Sequence, residues 1–166
     1  PINNDNRTIE AWVKTTSTSD MALVNWGTTS SNQSGLKLAN GILYFDGGTS
    51  NTLSGTTLLN DGNWHHVAAS FEGTSVTLYV DGVAEANATM TLTTSGTVLT
   101  IGRQSSPAEN DYFTGTLDEV RVWSTARSAS EINANKNKSV PYNETGLVVN
   151  FKLNEAIHFI TNKSKK

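Results

Sequence analysis

Along most of the chain apolar and polar residues alternate one for one. That period of two admits β-strands and excludes helices as the main building unit. In "RTIEAWVKT", residues 7–15, Ile9, Ala11 and Val13 fall on one face and Thr8, Glu10, Trp12 and Lys14 on the other. In "WHHVAASFEGTSVTLYVDGV", residues 64–83, the pattern reads strand, turn, strand, turn. Asn40-Gly41, Asp46-Gly47, Asp61-Gly62 and Asp81-Gly82 punctuate the apolar runs, and Asn-Gly tolerates the positive φ that a tight hairpin needs. Strands are expected in "RTIEAWVKT", "MALVNWG", "GLKLA" and "ILYFD", and then over 56–59, 64–71, 74–81, 84–90, 97–102, 113–123 and 145–154. Strands at this spacing with Gly-rich turns predict an all-β, two-sheet antiparallel sandwich. One short helix interrupts it. "SASEINANK" opens on Ser128 with Glu131 three residues on, a capping box, and Ala129, Ile132 and, at the margin of that face, Asn133 are expected to face the sheet.

Several function classes are weakened by composition. The 166 residues suit one domain, expected over residues 1–156 with a tail at 157–166. The start at Pro1 is read as a piece cut from a longer protein. A net charge of −3 without a basic stripe argues against nucleic acid, because phosphate binding needs clustered Lys and Arg. No apolar run approaches the roughly 20 residues of a membrane span. With no cysteine there is no thiolate chemistry.

Catalytic constellations are hard to assemble. His65 lies with Val67, Ala69 and Phe71 on one face of its strand, and His66 with Trp64, Ala68 and Ser70 on the other, so the histidines cannot act together. Retaining glycosidases need two carboxylates about 5 Å apart. Glu109 and Asp111 are the one acidic pair spaced by two residues, and they fall in a loop. Asp118 and Glu119 are neighbours, expected on opposite faces of a strand. The chain is therefore expected not to be an enzyme.

"TIEAWVK", "WHHVAASFEGTSVTLYVDGV", "LTIG" and "YFTGTLDEVRVWSTARSASEI" occur in that order, and together they closely resemble the laminin-G-like jelly rolls of the concanavalin A-like lectin and glucanase superfamily. The nearest look is to its bacterial laminin-G-like and pentraxin-like group. The resemblance covers roughly residues 7 to 154, with "GLVVNFKLNEA" as the closing strand, and lacks the usual first strand before "TIEAWV". It implies two curved antiparallel sheets packed face to face.

The same resemblance implies calcium. Asp118 in "LDEVRVW" matches an aspartate that ligates a structural calcium in the glucanases, while its residue type alone is equally served by capping a turn or pairing with Arg121 or Lys152. Asp20 and Asp111 fall on ligand positions of a pentraxin-like rim site. "RQSS", residues 103–106, stands where pentraxins are acidic, so Gln104 and Ser105 offer neutral oxygens only. Sugar sites pair an exposed aromatic with amide or carboxylate hydrogen bonds. Trp12, Trp26, Trp64, Trp123, Tyr44 and Tyr112 are available, with most Trp expected in or beside the core. Tyr112, beside Asn110 and Asp111 and near Gln104, is the first aromatic to test. The expectation is a carbohydrate-binding or adhesion module, glycan or cell-surface protein its ligand, joined to neighbouring domains of a secreted or cell-surface protein. A structural spacer in an adhesin and a glycoside hydrolase domain are the rivals.

Overall fold

In a computed structural model, residues 3–27, 31–48, 51–96, 98–104 and 111–153 are described. The strands are β1 (Arg7–Lys14), β2 (Met21–Gly27), β3 (Gln33–Ala39), β4 (Ile42–Asp46), β5 (Thr52–Leu58), β6 (His65–Glu72), β7 (Ser75–Val80), β8 (Val83–Thr89), β9 (Leu99–Ile101), β10 (Thr116–Trp123) and β11 (Leu147–Phe151), with the helix α1 (Ala129–Asn135) between the last two. One sheet has six strands in the order β11-β10-β1-β6-β7-β8, the other five in the order β5-β4-β3-β2-β9. Every pairing is antiparallel. The expected all-β sandwich is the observed one. The tail at 157–166 lies outside the described residues.

The alternation explains the core. Ile9, Ala11 and Val13 of β1, Val67, Ala69 and Phe71 of β6, and Val120 and Val122 of β10 point inward and meet Leu36, Leu38, Leu43 and Phe45 of the other sheet, all at 2% exposure or less. At about 25 cal/mol per Å² of apolar area removed from water, this layer is the main source of stability. Asn40 (φ 50°) and Gly41 (φ 79°) both take positive φ, which is what lets β3 return as β4 through a two-residue turn.

The outer face of the six-stranded sheet departs from the simple alternation. Thr8, Glu10, His66, Arg121 and Trp123 belong to it, and all are 1% exposed or less. The chain from 124 to 140 lies over them. Ile132 of α1 packs against Ala68 and Tyr79 in a second, small apolar cluster. The capping box is present: Glu131 N–H donates to Ser128 Oγ at 3.3 Å, and Ser128 N–H to Glu131 Oε2 at 2.8 Å. Ala129 and Asn133, however, are exposed; in a helix of two turns lying on a sheet, only the narrow stripe centred on Ile132 meets the surface beneath.

Sheet edges expose unpaired amides. At β5, the end of its sheet, Glu85 from β8 reaches across the sandwich. Its Oε2 accepts the N–H of Thr56 at 3.1 Å and its Oε1 accepts the Thr57 hydroxyl. Gly55 makes room, since a Cβ there would stand 2.4 Å from Glu85 Oε2.

Candidate functional site

The covering segment is fastened by side chains of the sheet below. The last carbonyls of a helix have no partners within it. Here Arg121 Nη1 donates to Asn135 O at 3.3 Å, Trp12 Nε1 to Lys136 O at 2.8 Å, and Arg121 Nη2 to Lys138 O at 2.8 Å. Arg121 is 0% exposed and needs counter-charge. It has two carboxylates, Glu119 Oε2 at 2.5 Å and Glu10 Oε1 at 3.4 Å. Glu10 Oε1 also accepts Trp123 Nε1–H at 2.9 Å, while its Oε2 stands 3.5 Å from His66 Nε2, too far for a well-formed hydrogen bond. Burial alone would raise the Glu10 pKa; His66, the Trp123 N–H and Arg121 outweigh it and hold the carboxyl below the ordinary glutamate value.

Where the segment leaves the sheet, a cavity of about 350 Å³ opens between them, lined by Trp12, Trp64, Asp118, Glu119 and residues 136–139. Trp64 immediately precedes β6, beyond the cover of α1, and is 41% exposed. Asp118 and Glu119 both border this cavity, against the expectation of opposite faces. A bulge is the reason. β1 and β10 slip register between Glu10 and Trp12, and Glu119 takes φ 47°, so the alternation is broken at that residue. Asp118 caps the bulge, its Oδ1 accepting Glu119 N–H at 2.7 Å, and among the described residues it has no ion pair. Thus the cavity offers an aromatic face, a carboxylate free to accept hydroxyls, the Asn137 amide and the Lys138 ammonium.

The residues expected at the rim lie elsewhere, on the side of the five-stranded sheet. Gln104 Nε2 donates to Asp111 Oδ2 at 3.0 Å, so those two meet. Lys37 Nζ stands 3.9 Å from the same oxygen and 2.7 Å from Asp46, which also accepts from Gln33 at 2.7 Å. Tyr112 is 60% exposed beside this polar chain. Asp20 instead accepts the N–H of Asn40 at 3.2 Å, at the β3–β4 turn. Asn110 lies outside the described residues.

Calcium takes six to eight oxygens. No group of three or more His, Cys, Asp or Glu gathers among the described residues. Asp111 already faces a lysine ammonium. Around Asp118 the carbonyls of Lys136 and Lys138 are taken by Trp12 and Arg121. The described donors do not by themselves complete a calcium shell at Asp118, Asp20 or Asp111.

The two histidines do face opposite sides. His65 Nδ1 lies 2.9 Å from Asp81 Oδ2 and its Nε2 3.3 Å from Asp61 Oδ1, while His66 sits edge-on to Trp12 under the cover. Burial works to lower the His65 pKa, but the hydrogen bonds and charges of Asp81 and then Asp61 prevail, and it is raised above the usual histidine value. No nucleophile adjoins either ring among the described contacts.

Two antiparallel sheets with a helix laid on the outer face of the larger one define a laminin-G-like jelly roll. The family profile of the concanavalin A-like lectin/glucanases superfamily matches residues 1–133, and the chain belongs to that family. No curated protein matches the sequence. Among solved structures, a Bacteroides ovatus protein proposed to be carbohydrate-binding is similar at TM-score 0.76 and 22% identity, over 91% of this chain and 46% of that one. The chain thus spans under half the length of that protein. Domain 4 of the extracellular GH43 arabinanase AbnA from Geobacillus stearothermophilus, in complex with arabinotriose, is similar at TM-score 0.65 and 21% identity, over 81% of this chain and 67% of that one. The CBM40 of a Ruminococcus gnavus IT-sialidase, bound to α2,3-sialyllactose, gives 0.63 and 20%, over 78% and 82%. At these identities the likeness shows the fold.

Asn137 and Lys138 carry no signal in the sequence, and Trp64 stands there only as one of six available aromatics. It sits in the same alternation as His66 and Ala68, which are buried, and only the end of the helical cover separates it from them.

Proposed function

We propose that the chain is a non-catalytic carbohydrate-binding module of a larger secreted or cell-surface protein, and that its ligand docks in the Trp64 cavity. The carrying observation is the exposed Trp64 indole beside the unpaired Asp118 carboxylate in a cavity of about 350 Å³. A sugar ring presents an apolar face of C–H groups and an equatorial belt of hydroxyls, which match an aromatic face edged by acceptors and donors. The names of the similar structures support the ligand class.

The absence of catalysis in this reading rests on the same residues. A glycoside hydrolase of this kind needs two carboxyl groups that both face the sugar. Glu119 is paired with Arg121 at 2.5 Å, which leaves Asp118 as the one carboxylate turned to a ligand in this cavity.

The polar chain at the other rim, Lys37–Asp111–Gln104 with exposed Tyr112, supports a second reading in which the sugar lies there. A glycan array followed by calorimetry with the strongest hit separates the two. Trp64→Ala should weaken binding tenfold or more, about 1.4 kcal/mol, and Tyr112→Ala should leave it within twofold. The reverse pattern moves the site to the rim. An array without any saturable hit returns the chain to the role of spacer.

A further inference from the structure

α1 divides the outer face of the six-stranded sheet. On the side opposite Trp64, next to residues 126–128, lies a second depression of about 280 Å³. Its floor is made by hydroxyls of β6 and β7: Ser70, Ser75, Thr77 and Tyr79. Arg127 closes one wall. Its guanidinium carbon stands 3.9 Å from the centre of the Trp123 ring, and the residue is only 8% exposed.

The state of that guanidinium is unusual. Arg121, the other arginine beneath the cover, uses its fork on two carboxylates and two carbonyls. Arg127 gives no side-chain hydrogen bond to any described residue, has no carboxylate within ion-pair distance, and its Nε is buried without a partner. A cation this far buried is ordinarily paired, because burial strips part of its hydration; here the nearest counter-charge is Glu131, which feels the Arg127 charge from beyond ion-pair distance. Stacking on Trp123 offsets part of this through the indole's negative face. It leaves the in-plane N–H groups unused, and those are what a planar two-oxygen anion engages.

From this we infer that the Arg127 depression is a second binding site, for a single carboxylate-bearing sugar residue of the uronate class. The carboxylate would take the guanidinium fork. The hydroxyl floor would serve the ring. Two glutamates at the mouth narrow the choice further. Glu131 is occupied by Ser128 and Glu72 is exposed, and both repel a bare anion but accept hydrogen bonds from sugar hydroxyls. A ligand carrying both a carboxylate and hydroxyl donors meets that pattern; sulfate or acetate meets only Arg127. A space of about 280 Å³, below the usual range for drug-sized ligands, suits one ring and not a chain.

The test is an amide NMR titration with glucuronate, galacturonate, glucose and acetate at equal concentrations. At least one uronate should shift amides of residues 70–79 and 126–131 saturably, and glucose and acetate should shift them tenfold less at the same concentration. Arg127→Lys keeps the charge and loses the fork, and should weaken uronate binding at least tenfold. Should that variant lose its fold through Trp123, Thr77→Val leaves the stack untouched and should weaken binding severalfold. Trp64→Ala should leave these shifts intact, which keeps the outcome independent of the Trp64 cavity. Silence from both uronates to tens of millimolar overturns the inference. So does acetate or glucose matching them, or uronate shifts that survive Arg127→Lys unchanged.

Discussion

Replacing Glu10 by Gln tests whether the cover over the six-stranded sheet is held by charge. Gln keeps an oxygen for the Trp123 N–H but removes the negative charge that faces Arg121 at 3.4 Å. Stripping a buried charge of its partner costs about 3–5 kcal/mol. Arg121 retains Glu119 at 2.5 Å and the carbonyls of Asn135 and Lys138, so the lower end, about 3 kcal/mol, is expected. For a chain of this length that is a fall in Tm of about 6–12 °C. Urea unfolding should show a lower midpoint with an unchanged slope. The acid limb carries a second signature. The Glu10 pKa is depressed in the folded state, so its stabilisation is present above the unfolded value near 4.3 and is lost as pH falls through the folded one. Glu10→Gln should flatten that part of the curve. A Tm within 2 °C of the wild type, with the acid limb unchanged, would mean that packing alone holds the cover and that the charge network is idle.

Three other outcomes follow from the same contacts. Ile132→Ala, which empties the small cluster under α1, should cost about 2–3 kcal/mol by calorimetry and weaken ligand binding at the Trp64 cavity, because the helix that leads into residues 136–139 loses its apolar anchor. The raised His65 pKa means that its pairing with Asp81 and Asp61 stabilises fully below the unfolded value near 6.5 and fades as pH rises through the folded one; Tm scanned from pH 5.5 to 9 should fall, and Asp81→Asn should reduce the fall, with an identical profile in the variant counting against the pairing. Chelator tests the calcium expected at Asp118 or at Asp20 and Asp111: a drop in Tm of several degrees, restored by calcium, would show that further oxygens complete the shell these carboxylates begin, and an unchanged Tm with no heat of calcium binding would retire the expectation.

How far the sequence speaks can be judged residue by residue. Ile9, Ala11 and Val13 announce an inward face because burial on one side of a strand imposes a period of two, and the observed core follows it. Asn40-Gly41 and the Ser128–Glu131 box are equally local, each fixed by the φ or the orphan amide that its residue type satisfies. The hidden part is set by contacts between distant segments. Thr8, Glu10 and Arg121 read as solvent-facing polar residues, and they are buried only because a segment over 110 residues downstream of Glu10 lies on them. The bulge at Glu119 carries no glycine to mark it, and so the meeting of Asp118 and Glu119 in one cavity was not foreseeable from alternation. Arg121 seemed a partner for Asp118; it serves Glu10 and Glu119 instead.

Glu85 gives the molecule a property that concerns many copies and not one. A β-sandwich that ends in an open strand can recruit the matching strand of a neighbour, and growth by that route needs free amides at the seam. Here the seam at Thr56 and Thr57 is stoppered by a carboxylate from the opposing sheet, and Gly55 is the notch into which it fits. An incoming strand would have to evict a hydrogen-bonded anion and leave its charge without those donors. Crowded copies of this domain are thereby discouraged from stitching together along β5, and a side chain at position 55 would have to push the stopper from its notch.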